Sequence, residues 1–146
     1  MTTPAWVLLG FAGWTLTILL LSVGVYRWSR ILRGRQGISE FSADGTGGAE
    51  WYKRATRAHA NCIENLPVYG AIVLAAYCAR IDDPLLDALA CVLLAARVMQ
   101  SLVHISFAQT NRVVSVRFSF FFVQFICMAW DGDPRRDRCL RVSCRP

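Results

Sequence analysis

Charge is scarce in this chain, and lysine is almost missing. Of 146 residues only 18% are Asp, Glu, Lys or Arg, whereas 55% are hydrophobic and the mean hydropathy is +0.37. An average soluble domain carries about 25% charged residues, so this balance argues against a water-soluble fold and points to a membrane. Lys53 is the single lysine beside 15 arginines. No Gly-Lys-Ser/Thr follows Gly45-Thr46-Gly47-Gly48, so that run is not a phosphate loop. The six cysteines lack zinc spacing. Cys62, Cys78, Cys91 and Cys127 lie within apolar runs, where a thiol packs as a small hydrophobe, and Cys139 and Cys144 match no ligand pattern. Neither a metal centre nor a disulfide framework is expected. The net charge of +6 comes without any nucleic-acid recognition motif. Its arginines flank apolar runs, as topology signals and anionic-lipid contacts do.

What is present is a series of apolar runs separated by polar connections. Residues 2–26 carry no charge, and about 20 apolar residues cross a bilayer, so a first spanning helix is expected there. No basic residue precedes its apolar core, which disfavours a cleavable leader. Trp6 and Trp28 stand near its two ends, where interfacial aromatics anchor a span. A basic cluster of Arg27, Arg30, Arg33 and Arg35 leads into a Gly- and Ser-rich stretch, 37–48, that reads as a loop outside the membrane. The second helix is expected from Glu50 to about Arg80, its first turns reaching the headgroups. Asp82-Asp83-Pro84 turns the chain, and Pro84 suits the start of a third helix over 85–108. After Gln109-Thr110-Asn111-Arg112, residues 113–130 form the fourth. Short connections between such helices imply antiparallel neighbours. The expected fold is all-α: an integral membrane antiparallel four-helix bundle over 1–130, followed by a polar basic tail, 131–146. Seven basic residues from Arg27 to Arg57 put the first loop in the cytoplasm. The five arginines of the tail run against that orientation.

The second helix carries polar groups where a lipid-facing helix has none. Arg57, Asn61 and Glu64 are spaced i, i+4, i+7 and share one stripe, with Lys53 a turn earlier and Pro67 removing a backbone donor beyond it. Arg97, Gln100, Ser101 and His104 form a comparable stripe on the third helix, and Arg117, Phe121 and Gln124 share a face of the fourth. Such groups are costly in a bilayer and turn toward a bundle interior or a wet cavity. Converging arginines suit a small anion with carboxylates, a nearby Glu64 suits its ammonium, and an Arg beside a thiol stabilises the thiolate. The plainer alternative is that these groups only pair across helices and hold the bundle together. His59 faces away from the stripe and is expected at a headgroup or loop. Phe118, Phe120, Phe121 and Phe122 are expected to face lipid or to pack.

The motif Arg57-Ala58-His59-Ala60-Asn61-Cys62-Ile63-Glu64-Asn65-Leu66-Pro67 resembles the Arg-Ala-x-x-Asn-x-x-Glu, then Pro, of the membrane-associated proteins in eicosanoid and glutathione metabolism (MAPEG). The resemblance covers roughly residues 4–130. It implies a trimer of four-helix subunits holding glutathione between neighbours near the cytoplasmic face. By that resemblance Arg57, Asn61 and Glu64 contact glutathione, Arg27 or Arg30 binds one of its carboxylates, and Arg97, Gln100 and His104 match the third-helix pattern. Arg117 resembles the fourth-helix arginine that activates the thiol. The implied function is a glutathione-dependent transferase or peroxidase acting on a lipophilic electrophile or hydroperoxide, in a bacterial inner membrane or else the endoplasmic reticulum. The alternative on the same fold is a non-catalytic membrane scaffold or lipid-binding protein. Two departures keep it open: His104 stands where the pattern often has Tyr, and Phe121 stands where several family enzymes place one. The connection between Arg97 and Arg117 is also about four residues longer than in the eicosanoid synthases.

Overall fold

A computed structural model describes residues 2–41, 47–81, 83–108 and 110–131. The tail expected from residue 131, with its five arginines, Cys139 and Cys144, lies outside the described residues except for Asp131. The described residues contain helices and no strand. The first span joins α1 (Thr3–Ile18), a π-helical stretch (Leu19–Gly24) and α2 (Val25–Leu32) into one rod. Then follow a short 3-10 turn (Ile38–Glu40), α3 (Glu50–Cys78), α4 (Pro84–Ser106) and α5 (Asn111–Asp131).

Local chemistry explains the ends. Thr2 is extended and Pro4 follows in the first turn of α1, where a missing N–H costs nothing. Asp83 caps α4, its Oδ1 accepting the Leu85 N–H at 2.8 Å, with Pro84 at the first helical position. Both α2 and α3 end in a Schellman turn. Gly34 (φ 62°) serves α2, with Arg35 N–H donating to Arg30 O at 3.0 Å; Arg80 (φ 52°) serves α3, with Ile81 N–H donating to Ala76 O at 3.1 Å. That left-handed residue stops α3 at Cys78, two residues before the end expected from sequence. Pro67 is absorbed within α3 without breaking it.

Neighbouring spans run antiparallel. Going along α3, Tyr52 stacks on Tyr26, the His59 ring meets the Thr15 carbonyl, and Tyr69 meets Phe11. Going along α4, Ser101 reaches Cys62 and Ile105 reaches Arg54. Small residues line these seams: Ala55, Ala58, Ala90 and Ala96 are buried, letting the helix backbones approach. A core of Val7, Phe11, Ile18, Tyr69, Val73 and Leu93 fills the middle. The first span, α4 and α5 are long and apolar enough to cross a membrane; α3 is long enough, but its polar residues lower its hydropathy. Leucines, phenylalanines and both Trp6 and Trp28 stand exposed around the outside, as a lipid-facing surface requires. Phe118, Phe121 and Phe122 belong to that surface.

The first loop returns onto the aromatic end of the first span. Ala49 N–H donates to the Tyr26 hydroxyl at 3.0 Å. Gly48 (φ 99°) is required there, because a Cβ would stand 2.7 Å from that oxygen.

Candidate functional site

The polar stripe of α4 points inward. Arg97, Gln100, Ser101 and His104 are all buried. Arg97 Nη1 donates to Gln100 Oε1 at 3.1 Å, and its guanidinium lies over the Phe11 ring, 5.3 Å from the centroid. Its Nε and Nη2, which form the carboxylate-binding edge of the fork, have no hydrogen-bond partner among the described residues. Gln100 links helices: its Oε1 also accepts from Gln124 Nε2 at 3.0 Å, and its Nε2 donates to the Arg117 carbonyl at 3.3 Å. A cation this deep with no salt bridge among the described residues is unusual, since buried charges normally pair.

Nearer the basic end, a cavity of about 320 Å³ opens between α3 and α4, lined by Glu50, Lys53, Arg54, Arg57, His104 and Ala108. Arg54 is fixed at its wall, its Nε donating to the Ile105 carbonyl at 3.0 Å. That carbonyl belongs to the last turn of α4, where a cation also meets the negative end of the helix dipole. His104 is 2% exposed, and neither ring nitrogen bonds another described residue. The charges of Arg117, Arg57 and Arg54 all act on its ring. The cavity is therefore strongly electropositive, with Lys53 tied to Glu50 at 2.8 Å as its only internal ion pair among the described residues. Such a place attracts an anion.

The other expected groups extend away from this cavity. Arg57, which lines it, is exposed, and its stripe continues along α3 through half-buried Asn61 to exposed Glu64. The charge of Arg57 acts on Arg117, and the Glu64 carboxylate on Arg97, so this stripe borders buried Arg97 and half-buried Arg117 while Arg57 and Glu64 are left exposed by their own chain. Arg27 and Arg30 are not brought to it. Arg27 Nε donates to the Tyr52 hydroxyl at 2.7 Å, and Arg30 Nη1 to the Tyr26 hydroxyl. Tyr52 occupies the buried side of α3, turned away from Arg57. A single chain thus gathers Arg54, Arg57, Arg97, His104 and Arg117, and leaves Arg27 and Arg30 across the helix.

Arg54, Tyr26 and Tyr52 were not singled out from sequence. The signal for Arg54 is its i, i+3 spacing to Arg57, and for Tyr26 its i, i+4 spacing to Arg30. His59 was expected at a headgroup or loop; instead its Nδ1 lies 3.2 Å from the Thr15 carbonyl, against the first span. That carbonyl also accepts the Leu19 N–H within the helix, and the ring meets its second lone pair.

Fold and site together define a membrane-embedded helical bundle with an anion-attracting cavity near one end. The family model for the MAPEG family matches residues 5–130, nearly the whole of the described chain, and the protein belongs to that family. It is an integral membrane protein of a family tied to glutathione metabolism. Comparison with curated proteins and with solved structures finds no match.

Proposed function

We propose that this protein is a glutathione-dependent membrane transferase or peroxidase acting on a lipophilic electrophile or hydroperoxide. The observation that carries this reading is the cavity between α3 and α4, where Arg54, Arg57 and His104 meet under the charge of Arg117. Glutathione brings two carboxylates, an ammonium and a thiol. Arginine forks bind carboxylates in pairs of hydrogen bonds, and the free edge of Arg97 is one such fork. Glu64 is the carboxylate placed to hold the ammonium, with Asn61 beside it. Arg117 stabilises the thiolate, which is the nucleophile at neutral pH. The lipid around α5 brings an apolar co-substrate to that thiolate without passage through water.

The uncovered stripe of Arg57, Asn61 and Glu64 supports a site completed by a neighbouring copy, in a homotrimer whose Arg27 or Arg30 would come from the adjacent first span. The membrane is taken to be a bacterial inner membrane, with the basic loop in the cytoplasm. Isothermal titration of glutathione into wild type and Glu64→Ala tests the site; equal affinity in both refutes it. Ultraviolet thiolate absorbance tests the chemistry: glutathione added to wild type should produce it, and glutathione added to Arg117→Ala should not.

A second reading rests on Phe121. One turn after Arg117 the side chain is an apolar ring packed on Phe118, with centroids 6.3 Å apart, and offers no hydroxyl to a thiol. A non-catalytic scaffold or lipid-binding protein on the same fold would bind glutathione and give no thiolate signal.

A further inference from the structure

At the end of the bundle remote from the basic loop lies an apolar trough that the reading above does not use. Ala5 and Leu8 of α1 and Gly70 and Leu74 of α3 wall a space of about 550 Å³. Thr2 and Tyr77 close it and also border a second hollow of about 510 Å³ that continues to Arg80. Both volumes fall within the roughly 300–1,000 Å³ of clefts that hold small molecules. The trough is apolar along its length and cationic at its mouth.

Two residues here work against the local fold. Gly70 sits inside α3, where alanine supports a helix better. Space does not demand it, because a Cβ would meet only Leu8 Cδ1, at 3.8 Å. Arg80 occupies the left-handed position of the Schellman turn, which the same turn after α2 gives to Gly34; a side chain is disfavoured there. Neither choice helps α3 form, and both shape the trough. The bare Cα of Gly70 deepens its floor, and Arg80 sets an exposed guanidinium, without an ion pair among the described residues, at its rim.

We propose that this trough holds a membrane glycerophospholipid, with an acyl chain along Leu8, Gly70 and Leu74 and the phosphate on Arg80. The mouth lies at the end of α3, at the level where headgroups and interfacial aromatics such as the exposed Tyr77 belong. A guanidinium matches a phosphate in charge and in fork geometry. Gly70 and Tyr77 lie about 140–160° round the helix from Arg57, away from the stripe assigned to a neighbouring copy.

Native mass spectrometry of the full chain in detergent, with added phosphatidylglycerol or diacylglycerol, tests the assignment. Wild type should retain phosphatidylglycerol at least tenfold better than diacylglycerol. Arg80→Gly should lose that preference while melting at the same or a higher temperature, and Gly70→Leu should lose both lipids. Glutathione titration should be unchanged in both variants, which separates this trough from the site above. Equal phosphatidylglycerol retention by wild type and Arg80→Gly overturns the proposal. So does a change in oligomeric mass for Gly70→Leu with lipid retention intact, which would give the trough to a second copy.

Discussion

Gln124 Nε2 donates to Gln100 Oε1 at 3.0 Å across the seam between α4 and α5. Because Gln100 also holds Arg97 and the Arg117 carbonyl, one amide ties together the helices that carry buried Arg97 and half-buried Arg117. Gln124→Leu removes one interhelical bond and should lower stability by about 0.5–1.5 kcal/mol. Gln100→Leu takes from buried Arg97 its hydrogen bond and from Gln124 its interhelical one, Gln124 keeping only the Phe120 carbonyl, and should cost about 2–3 kcal/mol. Denaturant titration in micelles ranks the two, and the reverse order would break this account.

Arg97→Met addresses the buried cation, which has no salt bridge among the described residues. A buried charge without a carboxylate partner is poorly compensated, and apolar replacements of such groups are often neutral or stabilising. The variant should be as stable as wild type or more so, yet bind glutathione at least tenfold more weakly. A large loss of stability with unchanged affinity would make Arg97 a structural residue.

Arg57→Ala should separate in the opposite sense. The side chain is exposed and makes no hydrogen bond to another described residue, so stability should move by no more than about 0.5 kcal/mol. A charge-assisted bond to a ligand carboxylate contributes about 1.5–3 kcal/mol, so glutathione affinity should fall roughly 10- to 100-fold. Calorimetric titration beside a melting curve reads both.

Tyr26→Phe removes the hydroxyl that receives Ala49 N–H and Arg30. It should cost about 1 kcal/mol and speed limited proteolysis between residues 33 and 49, leaving the fragment pattern elsewhere unchanged. Protection equal to wild type would show that the aromatic stack on Tyr52 alone holds the loop.

The number of helices, their order and the start of α3 at Glu50 could be read from apolar runs and turn residues. So could the grouping of Arg97, Gln100, Ser101 and His104, because a 3.6-residue period puts them on one face whatever that face meets. The direction of each stripe could not. Arg57, Asn61 and Glu64 obey the same spacing as the α4 set, yet one stripe is buried and the other left open by its own chain. That difference comes from which neighbours pack where, and local periodicity does not encode it. The pairing of Arg27 with Tyr52 is hidden for a related reason: the two are 25 residues apart, so only the folded return of the loop joins them, whereas Arg30 and Tyr26 are one turn apart and could have been paired from spacing alone. The π-helical stretch has no proline; Ser22 and Gly24 are the residues that could have announced it.

That stretch shifts the sequence phase between the two halves of the single rod that forms the first span. A π turn takes up a residue that α geometry has no room for, and each residue of an α-helix advances the face by about 100°. Because the π turn already absorbs the extra residue, deleting one of Leu19, Leu20 or Leu21 should let α geometry run through with Tyr26, Arg27 and Arg30 still against Tyr52, whereas inserting one more residue should swing them off it while Val7 and Phe11 stay seated. The irregularity acts as a phase shifter, allowing one apolar rod to serve a lipid-embedded core at one end and an arginine-bearing collar at the other.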